Sequence, residues 1–200
     1  MNSKIEEFEL RRKIVHILMG IVALLLLIYN IVTPFIIFII LIIGVLFSFL
    51  SFKIKVPILY FFLNNFERTN EKGKLPGRGI IFAVVGSLLA LQLFEKDIAL
   101  ASITILIFAD PISHLIGKFF GKTKSFLDQR KNIEGHIAGV IVSALLAMFF
   151  VHPILAIAGS LAAMLFESLI IEIQKIELDD NLIIPLAAGT AMFLIMRFFM

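Results

Sequence analysis

Residues 33–52 read TPFIIFIILIIGVLFSFLSF, a run of 20 positions without one charged side chain. A helix needs roughly 20 mostly apolar residues to cross the hydrocarbon core of a bilayer, so this stretch has a suitable length. Pro34 suits the first turn of such a helix, because its missing N–H group would have no intrahelical partner there. The stretch Thr33–Phe52 therefore predicts a transmembrane helix.

The whole chain shares this apolar character. Of its 200 residues, 60% are hydrophobic and 16% are charged, whereas a soluble domain carries about 25% charged residues. We predict an all-α fold, a polytopic membrane protein with about seven transmembrane helices in a single integral membrane domain over residues 1–200. Val56–Phe66 is too short to cross and is predicted to be an interfacial or re-entrant helix. The other predicted spans are Ile14–Tyr29, Gly79–Phe94, Ile98–Phe120, Ile137–Val151, Pro153–Ile171 and Leu182–Phe199.

Lysine and arginine are concentrated on alternate loops. The N-terminus holds four, residues 53–78 hold six, residues 118–131 hold five and Lys175 is one more, whereas the remaining segments hold only Lys96 and Arg197. With seven spans, 16 basic residues therefore fall on one side of the membrane and 2 on the other. Because cytoplasmic loops carry the excess of Lys and Arg, the N-terminus is predicted to be cytoplasmic, at the plasma membrane if the organism is prokaryotic.

Site-directed labelling tests this topology. The chain contains no cysteine, so single cysteines introduced at Lys72, Lys124, Lys175 or Lys96 can each be read separately. A membrane-impermeant thiol reagent is expected to label the first three only from the cytoplasmic side and the fourth only from outside, because the charge bias orients the loops in this way. Labelling of any of the first three from outside would contradict the seven-span arrangement.

Four ionisable residues lie inside the apolar runs: His16, Asp110, His114 and Glu167. A charged side chain in the hydrocarbon region is costly, so each is a candidate functional residue. At about 1.5 Å of rise per residue, Asp110 lies roughly 18 Å from the outer end of its span, and Glu167 lies at a similar depth. All four are predicted to converge in the cytoplasmic half. The alternative is that helix-end side chains extend to the interface, which fits His16 better than the two short carboxylates.

A stripe of small residues continues from Asp110 along one face of its helix, at Ser113, Gly117 and Gly121. The glycines would leave a groove that another backbone or a phosphate group could approach closely. The alternative reading is a packing face between membrane helices, which small residues spaced by four also favour.

A basic loop follows this stripe, with Lys118, Lys122, Lys124, Arg130 and Lys131 ahead of Glu134 and Gly135. Cations beside a glycine-lined groove favour an anion site. Carboxylates at Asp110 and Glu134 could hold a divalent cation that bridges phosphates, and oxygen ligands without cysteine favour Mg²⁺ or Mn²⁺. The same basic loop could also contact anionic lipid headgroups.

Two more polar clusters are predicted on the cytoplasmic side. Glu9, Arg12, Lys13 and His16 form a charged stripe that leads into the first span. Asp179, Asp180 and Asn181 precede the last span. Capping of that helix and metal binding remain two interpretations of this acidic trio.

These residues together resemble a known family. Residues 110–121 read DPISHLIGKFFG and, after eight further residues, residues 130–138 read RKNIEGHIA. This spacing resembles the CTP-binding signature of the dolichol kinase and phytol kinase family. The stretch from Glu9 to His16 is similar to that family's N-terminal motif, and Glu167, Asp179–Asn181 and Pro185 are similar to its C-terminal one. Ser113, Asn132 and His136 depart from it, because the family usually has Ala at the first position and hydroxyl residues at the other two.

The resemblance implies a membrane enzyme, related to phosphatidate cytidylyltransferases, that transfers a phosphoryl group from CTP to a long-chain isoprenoid alcohol such as dolichol, polyprenol, phytol or geranylgeraniol. We expect Mg²⁺ or Mn²⁺ as cofactor and CTP as phosphoryl donor, with the membrane and a lipid alcohol as partners, no nucleic acid, and a homodimer left open. The site is expected to face the cytoplasm.

The expected roles follow from charge, because phosphoryl transfer depends on positioning and charge neutralisation. Asp110, Glu134, Glu167 and Asp180 are the expected catalytic residues, with Asp110, Glu134 and Asp179 as metal ligands. The nucleotide is expected to contact Ser113, Gly117, Gly121, Lys122, Arg130, Lys131 and Gly135. Supporting roles are expected for Glu9, Arg12, Lys13, His16, His114, His136 and Asn181.

Two other functions remain open at this point. A lipid cytidylyltransferase would attack the α-phosphate of CTP and release pyrophosphate. An ion-coupled transporter would use the buried carboxylates as ion sites. Against the transporter, the sequence has no internal repeat, and its polar residues cluster at one face of the membrane.

Overall fold

The computed structural model describes residues 3–52, 75–125, 129, 131–169, 172–173, 176–177 and 179–200. The described helices are α1 (Ser3–Ile28), α2 (Pro34–Ser51), α3 (Arg78–Leu93), α4 (Lys96–Phe120), α5 (Ile133–Ala147), α6 (Pro153–Ser168) and α7 (Asp180–Phe199). A short antiparallel ribbon, β1 (Glu172–Ile173) with β2 (Ile176–Glu177), lies between α6 and α7 in the chain. The all-α membrane class is confirmed, while the predicted helix at Val56–Phe66 lies outside the described residues.

Each predicted span corresponds to one helix. Pro34 and Pro153 both lie in the first turn of their helices, as the sequence predicted. By length and composition, α2, α4 and α7 are the described helices able to cross a membrane alone. Helices α3, α5 and α6 are apolar but have only 16, 15 and 16 residues. The count of seven spans and the cytoplasmic N-terminus therefore remain predictions.

Helix α4 is the centre of the bundle. One face packs with α5, α6 and α7 in an apolar cluster that includes Ile105, Ala109 and Met192. The opposite face packs with α1 and α3 through a second cluster that includes Leu24 and Ile107, and α2 packs against α3. Alanine and glycine at the helix contacts let the backbones approach closely, which is how membrane helices associate when lipid removes the hydrophobic driving force between them.

The outer surface of the bundle is apolar. Helix α2 exposes bulky side chains along most of its length, among them Phe35, Phe38 and Leu46. In water such a surface would be an aggregation hazard, whereas in a bilayer it contacts lipid tails. The ionisable side chains of the interior instead gather toward the end of the bundle where α5 and α7 begin and where α4 and α6 end.

Candidate functional site

An ion pair joins the first helix to the central one. The ammonium group of Lys13 on α1 bonds Oδ2 of Asp110 on α4. Lys13 is 5% exposed, and the side chain of Asp110 is 23% exposed. Two opposite charges this far from water need each other, because removing one partner leaves the other buried without compensation. Lys13 takes one carboxylate oxygen, and among the described residues no hydrogen bond to Oδ1 of Asp110 is found, so this oxygen is available for a further ligand.

The charged stripe of α1 surrounds this pair. Arg12 forms an ion pair with Glu9 at 3.0 Å. His16 is partly buried one turn beyond Lys13 and lies within electrostatic range of Asp110. His114, one turn after Asp110, is also partly buried. Of the stripe read from the sequence, Lys13 and His16 therefore face Asp110, and Glu9 and Arg12 pair with each other.

The glycines of the stripe on α4 pack against α5. A Cβ atom on Gly135 would lie 2.9 Å from the Cα atom of Gly117, and it would collide with the carbonyl oxygen of Ser113. The side-chain amide of Asn132 donates to the carbonyl oxygen of Gly117 over 2.5 Å, so this carbonyl in the last turn of α4 accepts a second hydrogen bond from the residue that caps α5. Of the two interpretations, close helix packing is observed here between Gly117 and Gly135.

The basic loop after α4 folds back onto the start of α5. Lys124 and Asn132 form an isolated antiparallel bridge, flanked by a 3.0 Å bond from Ser125 N–H to the carbonyl of Lys131. Gly121 ends α4, and its N–H group donates to the carbonyl of Gly117. This turn leaves Lys122 exposed at the surface and sets Lys131 beside α5.

Glu134 holds this loop in place. One carboxylate oxygen accepts from the backbone N–H of Thr123 over 2.9 Å and the other lies 3.3 Å from it. Hydrogen bonds from its own backbone N–H, then from Lys122 and Thr123, hold the pKa of the Glu134 carboxyl below its ordinary value, against a smaller opposing effect of burial. The carboxylate is thus charged and bonded to the basic loop.

Lys131 and His136 enclose Glu167. The ammonium group of Lys131 lies 2.5 Å from Oε1 of Glu167 and donates to the Glu167 carbonyl over 2.8 Å. Nε2 of His136 lies 3.5 Å from the other carboxylate oxygen and 2.6 Å from the hydroxyl of Ser168. These contacts tie the start of α5 to the end of α6.

The acidic trio begins α7. Asp179 is its N-cap, because Oδ1 accepts from the backbone N–H of Asn181 over 3.1 Å and from its amide over 2.9 Å. Oδ2 of Asp179 pairs with Nε of Arg78, at the start of α3, over 3.4 Å. The capping interpretation is therefore observed. Asp180 is partly buried, and in the described residues no hydrogen bond or ion pair fixes its carboxylate.

Carboxylates from three helices approach one another at this end of the bundle. Asp180 lies within electrostatic range of Lys131, Asp110 and Glu167, and Glu167 lies within range of Lys13. Arg130 lies outside the described residues, Lys122 is exposed on the loop, and Glu134 in the first turn of α5 is bonded to the loop at Thr123. The sequence therefore identified the residues of the cluster but not their partners.

The fit of this cluster to a metal ion depends on the donors it offers. Over the part of the chain that the structure describes, no three His, Asp or Glu side chains are close enough to form a ready-made metal cage. Magnesium in nucleotide enzymes is usually held by one or two carboxylates together with substrate phosphates, and it keeps several waters. Oδ1 of Asp110 fits such a ligand, whereas Glu134 and Asp179 hold backbone groups instead.

Three residues with clear structural roles were not predicted from the sequence. Arg78 pairs with Asp179, Thr123 donates to Glu134, and Ser168 bonds His136. Arg78 lies in Pro76-Gly77-Arg78-Gly79, a sequence typical of a turn. Its position at the start of a predicted span, together with the acidic trio at the start of another, is the signal that could have predicted this ion pair. No local pattern distinguishes Ser168.

Comparison with known proteins gives relatives of two kinds. An uncharacterized protein of Methanocaldococcus jannaschii is 30% identical to the chain over 189 residues, which cover 88% of each protein. Two proteins named CTP-dependent diacylglycerol kinase 1 are more distant. The one from Eremothecium gossypii is 26% identical over 146 residues, 60% of this chain and 45% of the kinase. The one from Schizosaccharomyces pombe is 25% identical over 139 residues, 63% of this chain and 64% of the kinase.

The chain thus matches less than two thirds of the length of either kinase. No model of a protein family matches it, and no solved structure does.

Proposed function

This chain belongs to the same family as the uncharacterized protein of Methanocaldococcus jannaschii, and we propose that it is a CTP-dependent lipid kinase. The observation that carries the proposal is the pairing of Lys13 with Asp110 and of Lys131 with Glu167 at one end of the bundle. The distant similarity to CTP-dependent diacylglycerol kinases supports the same reaction class.

The proposed site places CTP at the basic loop. Lys122, Lys131 and Arg130 neutralise the phosphates, and Asp110 faces the metal–nucleotide complex through Oδ1. Magnesium, when bound, would neutralise charge that develops on the phosphates. The Gly117–Gly135 contact sets the loop against α5 and so fixes the distance between its lysines and Asp110.

The lipid hydroxyl must lose a proton as it attacks the γ-phosphorus. Glu167, Asp179 and Asp180 are three carboxylates that could accept this proton. Glu167 and Asp179 are engaged by Lys131 and by Arg78, whereas Asp180 has no such partner within the described residues. We therefore assign the proton acceptor to Asp180, which lies within electrostatic range of both Asp110 and Glu167.

A more specific part of the proposal concerns which lipid accepts the phosphoryl group. The spacing of residues 110–138 resembles the dolichol and phytol kinase signature, which favours a long-chain isoprenoid alcohol. The two curated kinases that the chain matches are named for diacylglycerol, so diacylglycerol is the second candidate. Both offer one neutral hydroxyl group at the interface with the tail in lipid, which is what a site at the end of a membrane bundle can reach.

Transfer of a labelled phosphoryl group tests the reaction and the lipid together. Purified protein is incubated with CTP labelled at the γ-phosphate, Mg²⁺ and either isoprenoid alcohols or diacylglycerol. The label is expected in the lipid, with CDP released, because the hydroxyl oxygen attacks the γ-phosphorus and the bond to the β-phosphate oxygen breaks. Mass spectrometry of the products identifies the lipid.

Two results would redirect the assignment. Label found only in pyrophosphate, with CMP joined to a lipid phosphate, would identify a cytidylyltransferase. Proton- or Na⁺-dependent uptake into proteoliposomes, with no product from CTP, would favour a transporter. Transfer to diacylglycerol alone would keep the kinase and exclude the isoprenoid substrate.

A further inference from the structure

We infer that Glu167 acts through Lys131 as a positioning residue, and that His136 shares this task. In this arrangement neither side chain touches CTP or the lipid; together they hold the Lys131 ammonium group where the nucleotide phosphates bind. The inference rests on the proposed CTP site and assigns a role within it.

The carboxylate of Glu167 is enclosed. Its side chain is 2% exposed, its Oε1 is 2.5 Å from the Lys131 ammonium group, and its Oε2 faces Nε2 of His136 at 3.5 Å. A metal ligand or a proton acceptor needs an oxygen that the substrate complex can reach. Glu167 instead has one oxygen paired with the Lys131 ammonium group and the other buried without a hydrogen-bond partner among the described residues, so its contacts stabilise Lys131 and do not offer an oxygen to the substrate.

His136 is held at both ring nitrogens. Nδ1 donates to the carbonyl oxygen of Asn132 over 3.0 Å, because a carbonyl oxygen can only accept. Nε2 lies 2.6 Å from the hydroxyl of Ser168, which also lies 2.8 Å from the carbonyl of Met164. The ring therefore links the end of the basic loop to the last turn of α6, and it cannot swing without breaking contacts on both sides.

These contacts hold the ammonium group of Lys131 in place. An ammonium group has three N–H donors, and Glu167 accepts two of them, one through its carboxylate and one through its carbonyl. The lysine side chain remains 27% exposed, so its third donor can reach an anion. A flexible lysine loses rotamer freedom when it binds a phosphate, whereas one already held in place loses less and binds more tightly.

A double-mutant cycle tests this role. Glu167→Gln is expected to raise KM for CTP by about tenfold and to change kcat by less than about threefold, because it loosens Lys131 without removing a reacting group. Lys131→Met is expected to raise KM further. In the Lys131→Met background, Glu167→Gln is expected to add no further increase, because two residues that act through one group are not additive.

His136→Gln provides a second variant. It removes the contacts of the ring with Glu167 and Asn132, and it is expected to raise KM for CTP in the same direction as Glu167→Gln. His152→Gln is the matched control, because His152 caps the opposite end of α6 through a 3.4 Å contact with Ile154 N–H and lies outside the cluster. It is expected to leave KM unchanged. If Glu167→Gln fails to fold in detergent, the cycle of His136→Gln with Lys131→Met replaces it.

Two kinetic results would contradict the positioning role of Glu167. A fall in kcat of about a thousandfold in Glu167→Gln at unchanged KM would make Glu167 a catalytic residue and overturn the positioning role. An increase in KM for CTP on Glu167→Gln that is equally large in the wild-type and the Lys131→Met backgrounds would also overturn the positioning role. Calorimetry with CTP alone provides a readout that is independent of turnover. A wild-type protein that binds CTP but phosphorylates no lipid would contradict the kinase, and the cycle of CTP affinities would still decide the role of Glu167.

Discussion

Asp110→Asn is expected to leave the protein folded and to lower kcat by about a thousandfold, the effect of removing one preorganised charge from a reacting phosphate site. Asparagine is nearly the same size, and its amide oxygen can still accept from Lys13, which bonds Oδ2 of Asp110. It removes the negative charge at Oδ1 that the metal–nucleotide complex is proposed to need. The rate is measured with γ-labelled CTP under saturating lipid.

The control separates this effect from a general loss of charge on α4. Asp97→Asn changes an exposed acidic residue in the first turn of the same helix, at the end away from the cluster, and it is expected to leave kcat unchanged. Thermal unfolding in detergent checks that both variants fold. If Asp110→Asn keeps activity within about tenfold, equivalent to roughly 1.4 kcal/mol, then Asp110 only packs and belongs outside the site.

The fold could be predicted because apolar length is a local property. Thr33–Phe52 predicts a helix from its own residues, and the structure gives α2 as Pro34–Ser51. Where polar residues open a helix, hydrophobicity alone misplaces its start: the predicted span Ile137–Val151 corresponds to α5, Ile133–Ala147, which begins after Asn132 with Glu134 in its first turn. The start of α5 depends on these polar residues, which an apolar run cannot reveal.

The partners within the site could not be predicted in the same way. Lys13 and Asp110 are separated by 97 positions, and Lys131 and Glu167 by 36. Helical periodicity predicts that a residue faces the interior, but only the packing of α1 and α5 on α4 decides which charge it meets. The family resemblance identified the residues at fixed spacing without indicating that Glu134 bonds the loop at Thr123.

Lys13→Met is expected to destabilise the protein by about 3 kcal/mol, because it leaves the Asp110 carboxylate without its buried partner. Lys13 is almost fully buried, whereas the side chain of Asp110 is 23% exposed, so water can solvate part of the remaining charge and the cost stays at the lower end of the range for broken buried pairs. Methionine matches the length of the lysine stem and limits the loss of packing. Unfolding in detergent, followed by temperature or by added denaturing surfactant, measures the change.

The double variant Lys13→Met with Asp110→Asn separates the contribution of the ion pair to stability from the contribution of Asp110 to turnover. Removing the second charge relieves the uncompensated carboxylate, so the double variant is expected to be more stable than Lys13→Met alone, by about 1 kcal/mol or more. The kcat of the double variant is expected to stay at the level of Asp110→Asn. The second substitution restores stability, but the carboxylate charge that faces the nucleotide is still missing. Losses of stability that simply add would show that the two side chains do not depend on each other. Recovery of activity together with stability would instead make the pair a structural link between α1 and α4, with no part in the reaction.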